Sequence, residues 1–442
     1  MSAMRLSIER MAYGTDAIAH SDDGKTVFVG GAVPGDLVEA EIYSRGSSFD
    51  KAHITQVLEP SESRVTPLCP YTNLCGGCPW ASLSRTAQLE AKQAAVCDCL
   101  KRIGGFKESE IAALVAPCES PSQPWGYRNK IELALSASHG RTVIGMHALE
   151  PSHVVQVDRC ALLDKRHNKL TKSLSGALAY LAHSQDLGLS RIGIRAALGT
   201  RDLEIALWGK PGAFPRSKTA KVLGDATHAS SIVRVLMKGP QKARRVTGIE
   251  VLSGKGCWEE RIGEESMLLS APSFFQVNTV AASRLIDIVI EGLSPRQDDE
   301  VMDLYCGAGT FTMPFARRTS FVSAVEAYGF AVRDLRRNLE RAGLDNVDPI
   351  GGDAGQEFPD TQADIIIVDP PRAGLSADVV KKLSNQACRA IAYVSCDPAT
   401  LARDLSRFRA LGHFEPTKIT PVDLFPQTFH VECVTLMSRV KE

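Results

Sequence analysis

The sequence predicts a multidomain chain of β and α/β parts, and three observations carry that prediction. The chain has 442 residues, enough for two or three domains. Short β-type runs separated by turn residues fill residues 1–60 and recur from about 125 to 265. From about 266 onward, apolar strands alternate with amphipathic helices, which is typical of βαβ units around a parallel sheet. We therefore expect domains at 1–60, 61–265 and 266–442.

The first two domains have different element patterns. In KTVFVGGAVPGDLVEAEIY, the pairs Gly30-Gly31 and Pro34-Gly35 separate β-type runs, and this part of the chain predicts a small five-stranded barrel. The segment SLSRTAQLEAKQAAVCDCLKRIGGF predicts a helix that ends at Gly104-Gly105. We expect this helical part, residues 82–118, to pack on the C-terminal domain, and the rest of the central domain to be rich in strands.

The elements of the C-terminal domain follow one another as strand and helix. EVMDLYCGAGTFTMPFAR predicts a strand, a glycine-rich turn and a helix, and FVSAVEAY and AVRDLRRNLERAGL predict the next pair. DIIIVDPPR predicts an apolar strand that stops at Pro370, and RAIAYVSCDP predicts another that also stops in a turn before the helix ATLARDLSRFRALG. The carboxyl ends of such strands are where open α/β sheets bind ligands.

The composition is that of a soluble globular protein. Hydrophobic residues make up 44% of the chain and charged residues 23%, which argues against disordered, collagen-like and membrane proteins. The N-terminal MSAMRLSIERMAYG lacks the apolar core of a signal peptide, and no run of about 18 apolar residues occurs. We expect a cytoplasmic monomer with no membrane partner.

The net charge of zero is an average over unequal parts. Residues 61–265 contain 28 Lys/Arg against 19 Asp/Glu, whereas residues 1–60 contain 5 against 9 and residues 266–442 contain 18 against 23. A basic centre between acidic ends indicates contact with a nucleic acid, and an uneven solvated surface is the alternative interpretation.

Twelve cysteines in a reducing compartment are metal or catalytic candidates before they are disulfides. Three of them are clustered as Cys69-x5-Cys75-x2-Cys78. Six others have no partner pattern and are expected to be buried small hydrophobes: Cys97, Cys99, Cys118, Cys257, Cys388 and Cys433.

Three candidate sites lie where predicted strands end. The glycine-rich turn 303–311 allows a ligand to approach the backbone, and because it lacks the third glycine of a dinucleotide fingerprint, a nucleoside cofactor without a pyrophosphate fits better. Glu326 ends the next strand, near the place of a ribose. Asp369 is held in the stiff turn Asp-Pro-Pro-Arg. Cys396 stands at a strand end, where it could act as a nucleophile, whereas Cys306 lies inside the turn and has a structural role.

Five motifs occur in the order FFQVN, DLYCGAGTF, DPPR, VSCDP and DLFPQTFHVE. Together they resemble the S-adenosylmethionine-dependent RNA uracil-5 methyltransferases, which implies a Rossmann-like class I methyltransferase domain at 266–442. The segment GTDAIAHSDDGKTVFVGGAVPGDLVEAEI resembles the OB-like TRAM domain of the 23S ribosomal RNA branch. Four cysteines are similar to the 4Fe-4S ligands of that branch: Cys69, Cys75, Cys78 and Cys160.

The resemblance also implies residue roles. Four residues would contact S-adenosylmethionine: Gln276, Tyr305, Glu326 and Asp369. Asp353 is a weaker candidate near the adenine, and Thr310 departs from the asparagine that some members carry after the second glycine. Cys396 would add to C6 of uracil as the nucleophile, and Glu432 would remove the C5 proton as the base. The target uridine would be flipped out of an RNA loop. The resemblance implies that this RNA is 23S ribosomal RNA.

The cysteine ligands leave zinc and iron–sulfur open, because four cysteines can hold either. Zinc sites usually use two close pairs, whereas here three cysteines are local and Cys160 lies 82 positions after Cys78, which favours iron–sulfur. The spacing also differs from the Cys-x3-Cys-x2-Cys of radical S-adenosylmethionine enzymes, so we expect a structural or RNA-orienting role.

Two alternative functions compete with the ribosomal RNA methyltransferase. A transfer RNA uridine methyltransferase of the same superfamily is expected to resemble only the catalytic part, without the barrel and the cysteines. A non-catalytic iron–sulfur RNA-binding scaffold is disfavoured by the intact Cys396 and Glu432. In each case the basic central domain should supply most phosphate contacts, so RNA binding should weaken with salt.

Overall fold

The computed structural model describes residues 3–138, 141–150, 153–183, 186–240 and 244–440. These residues form one six-stranded sheet, two seven-stranded sheets and a two-stranded hairpin. Within the described ranges, no helix is both long and apolar enough to cross a bilayer.

The N-terminal sheet has the strand order β1-β5-β6-β4-β3-β2. Its strands are β1 (Ala3–Ser7), β2 (Arg10–Met11), β3 (Asp16–His20), β4 (Thr26–Gly30), β5 (Leu37–Arg45) and β6 (Phe49–Glu59). β1 pairs with β5 and β2 pairs with β3, so the first stretch of chain reaches both edges of the sheet. The predicted count of five strands is wrong by one, because the first strand is divided at Ile8 and Glu9, whose N–H groups donate to the carbonyls of Asp36 and Ile18.

Two helices follow the cysteine segment: α1 (Arg85–Arg102) and α2 (Glu108–Leu114). α1 begins at Ser84, whose side-chain oxygen accepts from the N–H of Ala87 at 3.4 Å. Val96 and Leu100 of α1 share a hydrophobic core with residues of the C-terminal domain. The helix predicted from the sequence is therefore present, and its buried face is turned toward the C-terminal sheet.

The central sheet has the order β13-β12-β11-β10-β7-β8-β9. Its strands are β7 (Lys130–Ser138), β8 (Arg141–His147), β9 (Val154–Val155), β10 (Leu189–Ala196), β11 (Leu203–Gly209), β12 (Ser231–Lys238) and β13 (Arg245–Gly254). The helices α3 (Leu170–Ala182) and α4 (Arg216–Thr227) bury aliphatic side chains such as Leu174 and Leu223 against it. Only β11 and β12 pair in parallel within the described sheet, and α4 is their crossover.

A hairpin of β14 (Trp258–Ile262) and β15 (Glu265–Leu269) leads into the C-terminal domain. The strands of that domain are β16 (Glu300–Leu304), β17 (Phe321–Glu326), β18 (Val347–Gly351), β19 (Ile365–Val368), β20 (Ala390–Ser395), β21 (Phe414–Val422) and β22 (Glu432–Arg439). The helices are α5 (Thr279–Leu293), α6 (Thr312–Ala316), α7 (Gly329–Ala342), α8 (Ala377–Asn385) and α9 (Pro398–Leu411).

The C-terminal sheet has the order β18-β17-β16-β19-β20-β22-β21. β16 to β20 are parallel, and β22 runs antiparallel to both of its neighbours. All four residues of β19 are buried, as expected for a strand covered on both faces. The strand order reverses between β16 and β19, which puts a ligand-binding crevice at the carboxyl ends of these two strands.

Candidate active site

The glycine-rich turn after β16 is held in a conformation that leaves room for a ligand. Tyr305 has φ +64°, and its N–H donates to the carbonyl of Val325 in the neighbouring β17 at 2.8 Å. The Glu326 carboxylate accepts from the N–H of Gly307 at 3.0 Å. A Cβ atom at Gly307 would meet no atom within 4 Å, so open space lies in front of the turn. Glu326 thus shapes this space as well as bordering it.

Gln276 presents an unsatisfied polar atom. Its side chain is buried, and its Oε1 has no hydrogen-bond partner among the described residues. Its backbone is fixed by Asn129, whose Nδ2 donates to the Gln276 carbonyl at 2.8 Å. A buried amide oxygen without a donor is costly, so a ligand that donates a hydrogen bond would relieve it.

Burial and neighbouring carboxylates raise the pKa of three carboxyl groups near the crevice. Burial and the charge of Glu326 raise the pKa of Asp303 to about 7, although its Oδ2 accepts from the Thr312 hydroxyl at 2.6 Å. Burial and the charge of Asp303 raise the pKa of the half-buried Asp369 to about 7. Burial and Asp369 raise the pKa of Glu432 well above its usual range. Such crowded acids favour a cationic ligand.

Cys396 and Glu432 meet at the edge where β20 ends and β22 begins. Ser395, the last residue of β20, pairs with Cys433, so the register brings Cys396 beside Glu432. Burial and then the charges of Glu432 and Asp369 raise the pKa of the Cys396 thiol to about 11. The predicted nucleophile and base are therefore adjacent, and the raised pKa keeps the Cys396 thiol protonated at neutral pH.

Arg372 and His430 border the same edge and were not predicted as site residues. Arg372 Nη2 lies 3.3 Å from both ring nitrogens of His430. Burial and the positive charges of Arg372, Lys92 and Arg128 lower the pKa of His430 to about 4. His430 is thus a neutral ring. The signal that was available is its place two residues before Glu432.

The loop that leads into β22 is anchored from α1, which sequence reasoning also missed. Lys92 and Arg85 form ion pairs with the buried Asp423. Lys92 Nζ also donates to the Phe425 carbonyl at 3.0 Å. Lys92 is fully buried on the face of α1 that carries Val96. A single lysine on the buried face of the helix was the sequence signal for this contact.

Asp353 is less closely tied to the crevice than the other candidates. It is exposed, and its carboxylate accepts from the N–H of Gly355 at 2.9 Å, within its own loop.

The four predicted cysteine ligands line the same cavity. Cys69, Cys75, Cys78 and Cys160 are half-buried free thiols that line one cavity of about 430 Å³. Burial and the nearby Cys160 raise the pKa of Cys78. Among the described residues, no three His, Cys, Asp or Glu side chains converge closely enough to hold a single metal ion.

The six cysteines expected to be buried divide into two groups. Cys257, Cys388 and Cys433 are buried as expected. The other three are only partly buried, because they lie at the rim of the core shared by α1 and the C-terminal sheet: Cys97, Cys99 and Cys118.

Comparisons with known proteins agree with this architecture. Residues 353–440 match the family model of tRNA (uracil-5-)-methyltransferases, and residues 268–393 match a methyltransferase small domain. An uncharacterized RNA methyltransferase of Thermosynechococcus vestitus is 32% identical over 440 residues, covering 96% of each chain. Another, from Clostridium tetani, is 32% identical over 93% of this chain and 91% of its own length.

The comparison also includes a solved structure. The chain is similar to the Pyrococcus abyssi tRNA (uracil-54, C5)-methyltransferase in complex with S-adenosyl-L-homocysteine, with a TM-score of 0.77 and 26% identity over 98% of this chain and 99% of that one. Our expectation that a transfer RNA enzyme would resemble only the catalytic part is therefore wrong. The chain belongs to the RNA (uracil-5-)-methyltransferase family and is an S-adenosylmethionine-dependent RNA methyltransferase.

Proposed function

We propose that this enzyme methylates C5 of a uridine in RNA through a covalent adduct with Cys396, and that Glu432 removes the C5 proton. The adjacency of Cys396 and Glu432 at the carboxyl edge of the sheet supports this proposal. Asp369 ends the neighbouring strand β19, so its carboxyl group borders the same space.

The residues of the crevice fit S-adenosylmethionine. Gln276 would satisfy its buried Oε1 on the ligand. Tyr305 and Glu326 border the open space at Gly307, and Asp369 would face the positive charge. When bound, S-adenosylmethionine supplies an electrophilic methyl group on a positively charged sulfur. The acids and the orphaned amide oxygen are the features that such a ligand would complement.

The chemistry requires both a nucleophile and a base. The Cys396 thiolate forms a bond to C6 of uracil, and the electron pair of the C5–C6 double bond moves toward the C4 carbonyl as an enolate. C5 would then take the methyl group through that electron pair, while the methyl–sulfur bond of the donor would break with its electrons left on sulfur, so that the donor would leave as S-adenosylhomocysteine. Glu432 removes the remaining C5 proton, the double bond re-forms, and the C6–sulfur bond breaks to return the thiolate. Every bond formed to the enzyme is broken within one turnover.

The protonation state of Cys396 at rest imposes an order on these events. Burial and the charges of Glu432 and Asp369 raise the pKa of Cys396 to about 11, so the thiol is not ionised at neutral pH in the free enzyme. A positive ligand charge lowers the pKa of nearby acids. We infer that the positive charge of the bound cofactor lowers the pKa of Cys396, so that the enzyme attacks RNA only once a methyl donor is in place.

Two RNA substrates are in contention. The motif resemblance implies 23S ribosomal RNA, whereas the full-length likeness to a transfer RNA enzyme favours transfer RNA as the second candidate. Mapping of 5-methyluridine in both RNAs, from cells with and without this protein, decides between them. Loss of a ribosomal site supports the first candidate, and loss of a transfer RNA site supports the second. If neither RNA loses a methylated uridine, the proposed function is wrong.

We further propose that the four cysteines hold a 4Fe-4S cluster. Thiolate-only ligation from two chain segments around a shared cavity suits a cluster better than a single ion. Iron and acid-labile sulfide, measured in anaerobically purified protein, should each approach four per chain. Stoichiometric zinc without sulfide would contradict the assignment.

The N-terminal sheet is proposed to be an OB-like TRAM domain that contacts RNA. Its first strand joins both edges of the sheet, and Tyr43 and His53 stack with ring centroids 5.9 Å apart on its exposed surface. Bases stack on such rings regardless of the domain's net negative charge. The central domain, with its excess of basic residues, would carry most of the phosphate contacts.

A further inference from the structure

A second cavity, of about 650 Å³, lies beside the loop 423–431, which leads to Glu432 at the start of β22. Its apolar wall includes Trp125, Tyr127 and two exposed side chains, Leu68 and Val280. Cys396 and the residues proposed to contact the cofactor do not line it. The cavity is therefore separate from the site of methyl transfer.

Unpaired positive charge borders this cavity. Arg159 and Lys165 line it and are exposed, and among the described residues neither has a carboxylate partner. The nearby Arg166 differs, because its Nε donates to the Asp164 carboxylate at 3.0 Å. Two free cations beside an aromatic wall suit a ligand that joins an anion to a flat ring.

The cavity wall is hydrogen-bonded to the loop 423–431, which leads to Glu432. The Tyr127 hydroxyl donates to the Pro426 carbonyl at 3.0 Å. Asn278 Nδ2 donates both to Ser122 Oγ at 2.8 Å and to the Leu424 carbonyl at 3.0 Å. The cavity therefore adjoins the loop whose end is followed by Glu432.

We propose that this cavity binds a second unstacked nucleotide of the same RNA, with its base against Trp125 and its phosphate on Arg159 and Lys165. Aromatic stacking combined with backbone cations is how proteins hold single-stranded RNA. The inference rests on the proposed function, because it assigns the neighbour of the target uridine. It makes the cavity a determinant of which RNA loops the enzyme accepts.

The test measures the affinity of the full-length protein for a fluorescein-labelled ten-nucleotide oligouridylate in the presence of S-adenosylhomocysteine. Trp125→Ala should weaken binding roughly tenfold, and Trp125→Phe should retain most of it. Lys165→Ala should lower the salt slope of the affinity by about 0.7. Lys169→Ala is the matched control, since Lys169 is exposed, has no carboxylate partner among the described residues and does not line the cavity.

If Lys165→Ala and Lys169→Ala lose equal affinity for the oligonucleotide, the loss reflects the overall positive charge of the protein and the proposal is overturned. Displacement of the oligonucleotide by polyglutamate as readily as by unlabelled oligouridylate would overturn it too. If Trp125→Ala misfolds, the proposal is tested by Trp125→Phe and by comparing Lys165→Ala with Lys169→Ala. If the wild-type enzyme methylates RNA but Trp125→Ala binds the oligonucleotide normally, only the proposed nucleotide-binding role of the cavity is contradicted. If the wild-type enzyme forms no 5-methyluridine, the proposed function itself is contradicted.

Discussion

Gln88 and Gln427 form two hydrogen bonds with each other across 339 positions of sequence. Gln88 Nε2 donates to Gln427 Oε1 at 3.0 Å, and the Gln427 N–H donates to Gln88 Oε1 at 2.9 Å. Both residues are buried, and Gln427 has φ +71°. Gln88 also donates to the carbonyls of Trp80 and Leu83. One side chain of α1 therefore fixes both the segment after the cysteines and the loop before Glu432.

Gln88→Ala should destabilise the protein and slow catalysis. It leaves the N–H and Oε1 of Gln427 unpaired in the interior, at a cost of about 1–3 kcal/mol for each group. We expect a lower free energy of unfolding in urea and a lower kcat, with the KM for S-adenosylmethionine little changed. Gln93→Ala, on the same helix and only partly buried, should change stability by less than about 0.5 kcal/mol. Equal effects of both variants would show that Gln88 does not position the loop.

Cys396→Ala should abolish methyl transfer and leave S-adenosylmethionine binding intact, because the proposed mechanism has the thiol react with RNA and not with the cofactor. The measurements are 5-methyluridine formation and the calorimetric affinity for the cofactor. Cys388→Ala, which alters a buried cysteine just before β20, should keep its turnover. Retained methylation in Cys396→Ala would remove this cysteine from the mechanism.

Asp303→Asn should flatten the dependence of stability on pH. The pKa of Asp303 is raised from 3.8 to about 7 in the folded protein, so the native state binds a proton that the unfolded state has released. Stability from this group is full below about pH 4 and falls as pH rises to about 7. The thermal midpoint of the cofactor-free protein should drop less between pH 5 and 8 in Asp303→Asn than in wild type. Asp345→Asn, at an exposed position, serves as the control, and identical profiles for both variants would contradict the assignment.

Cys78→Ser should lose most iron and sulfide. It should also weaken the contact between the segment around Trp80 and the loop that leads to Glu432. Trp80 lies two residues after Cys78, and its N–H donates to the Gln427 carbonyl at 3.0 Å. Metal analysis and limited proteolysis of the segment around Trp80 provide the readouts. Cys97→Ser, at a half-buried position on α1, should keep its iron. Full iron content in Cys78→Ser would exclude it as a ligand.

The sequence predicts the part of the site that lies at strand ends. Asp369 and Cys396 each follow an apolar strand that stops at proline, and parallel topology then brings their carboxyl ends to one edge. Glu432 was reached through the family resemblance. Gln88 and Asp423 were not predicted, because their partners lie more than 300 positions away and no local periodicity encodes that contact. Such contacts exist only once α1 has packed on the C-terminal sheet.

The domain pattern was also partly predictable. Alternation of strands and helices correctly predicted the parallel pairing of β16 to β20, whose central strand β19 is buried on both faces. The division of the first strand at Ile8 and Glu9 was not predictable, because it depends on contacts of their N–H groups with the carbonyls of Asp36 and Ile18, which are distant in sequence.

The most direct test of the mechanism uses Glu432→Gln with RNA and S-adenosylmethionine. Without a base to remove the C5 proton, the adduct cannot break down, so protein should remain bound to RNA after heating in detergent. After nuclease and protease digestion, mass spectrometry should find the peptide containing Cys396 carrying a methylated uridine nucleotide. An unmodified Cys396 peptide, together with normal turnover of 5-methyluridine, would contradict covalent catalysis by Cys396 and proton removal by Glu432.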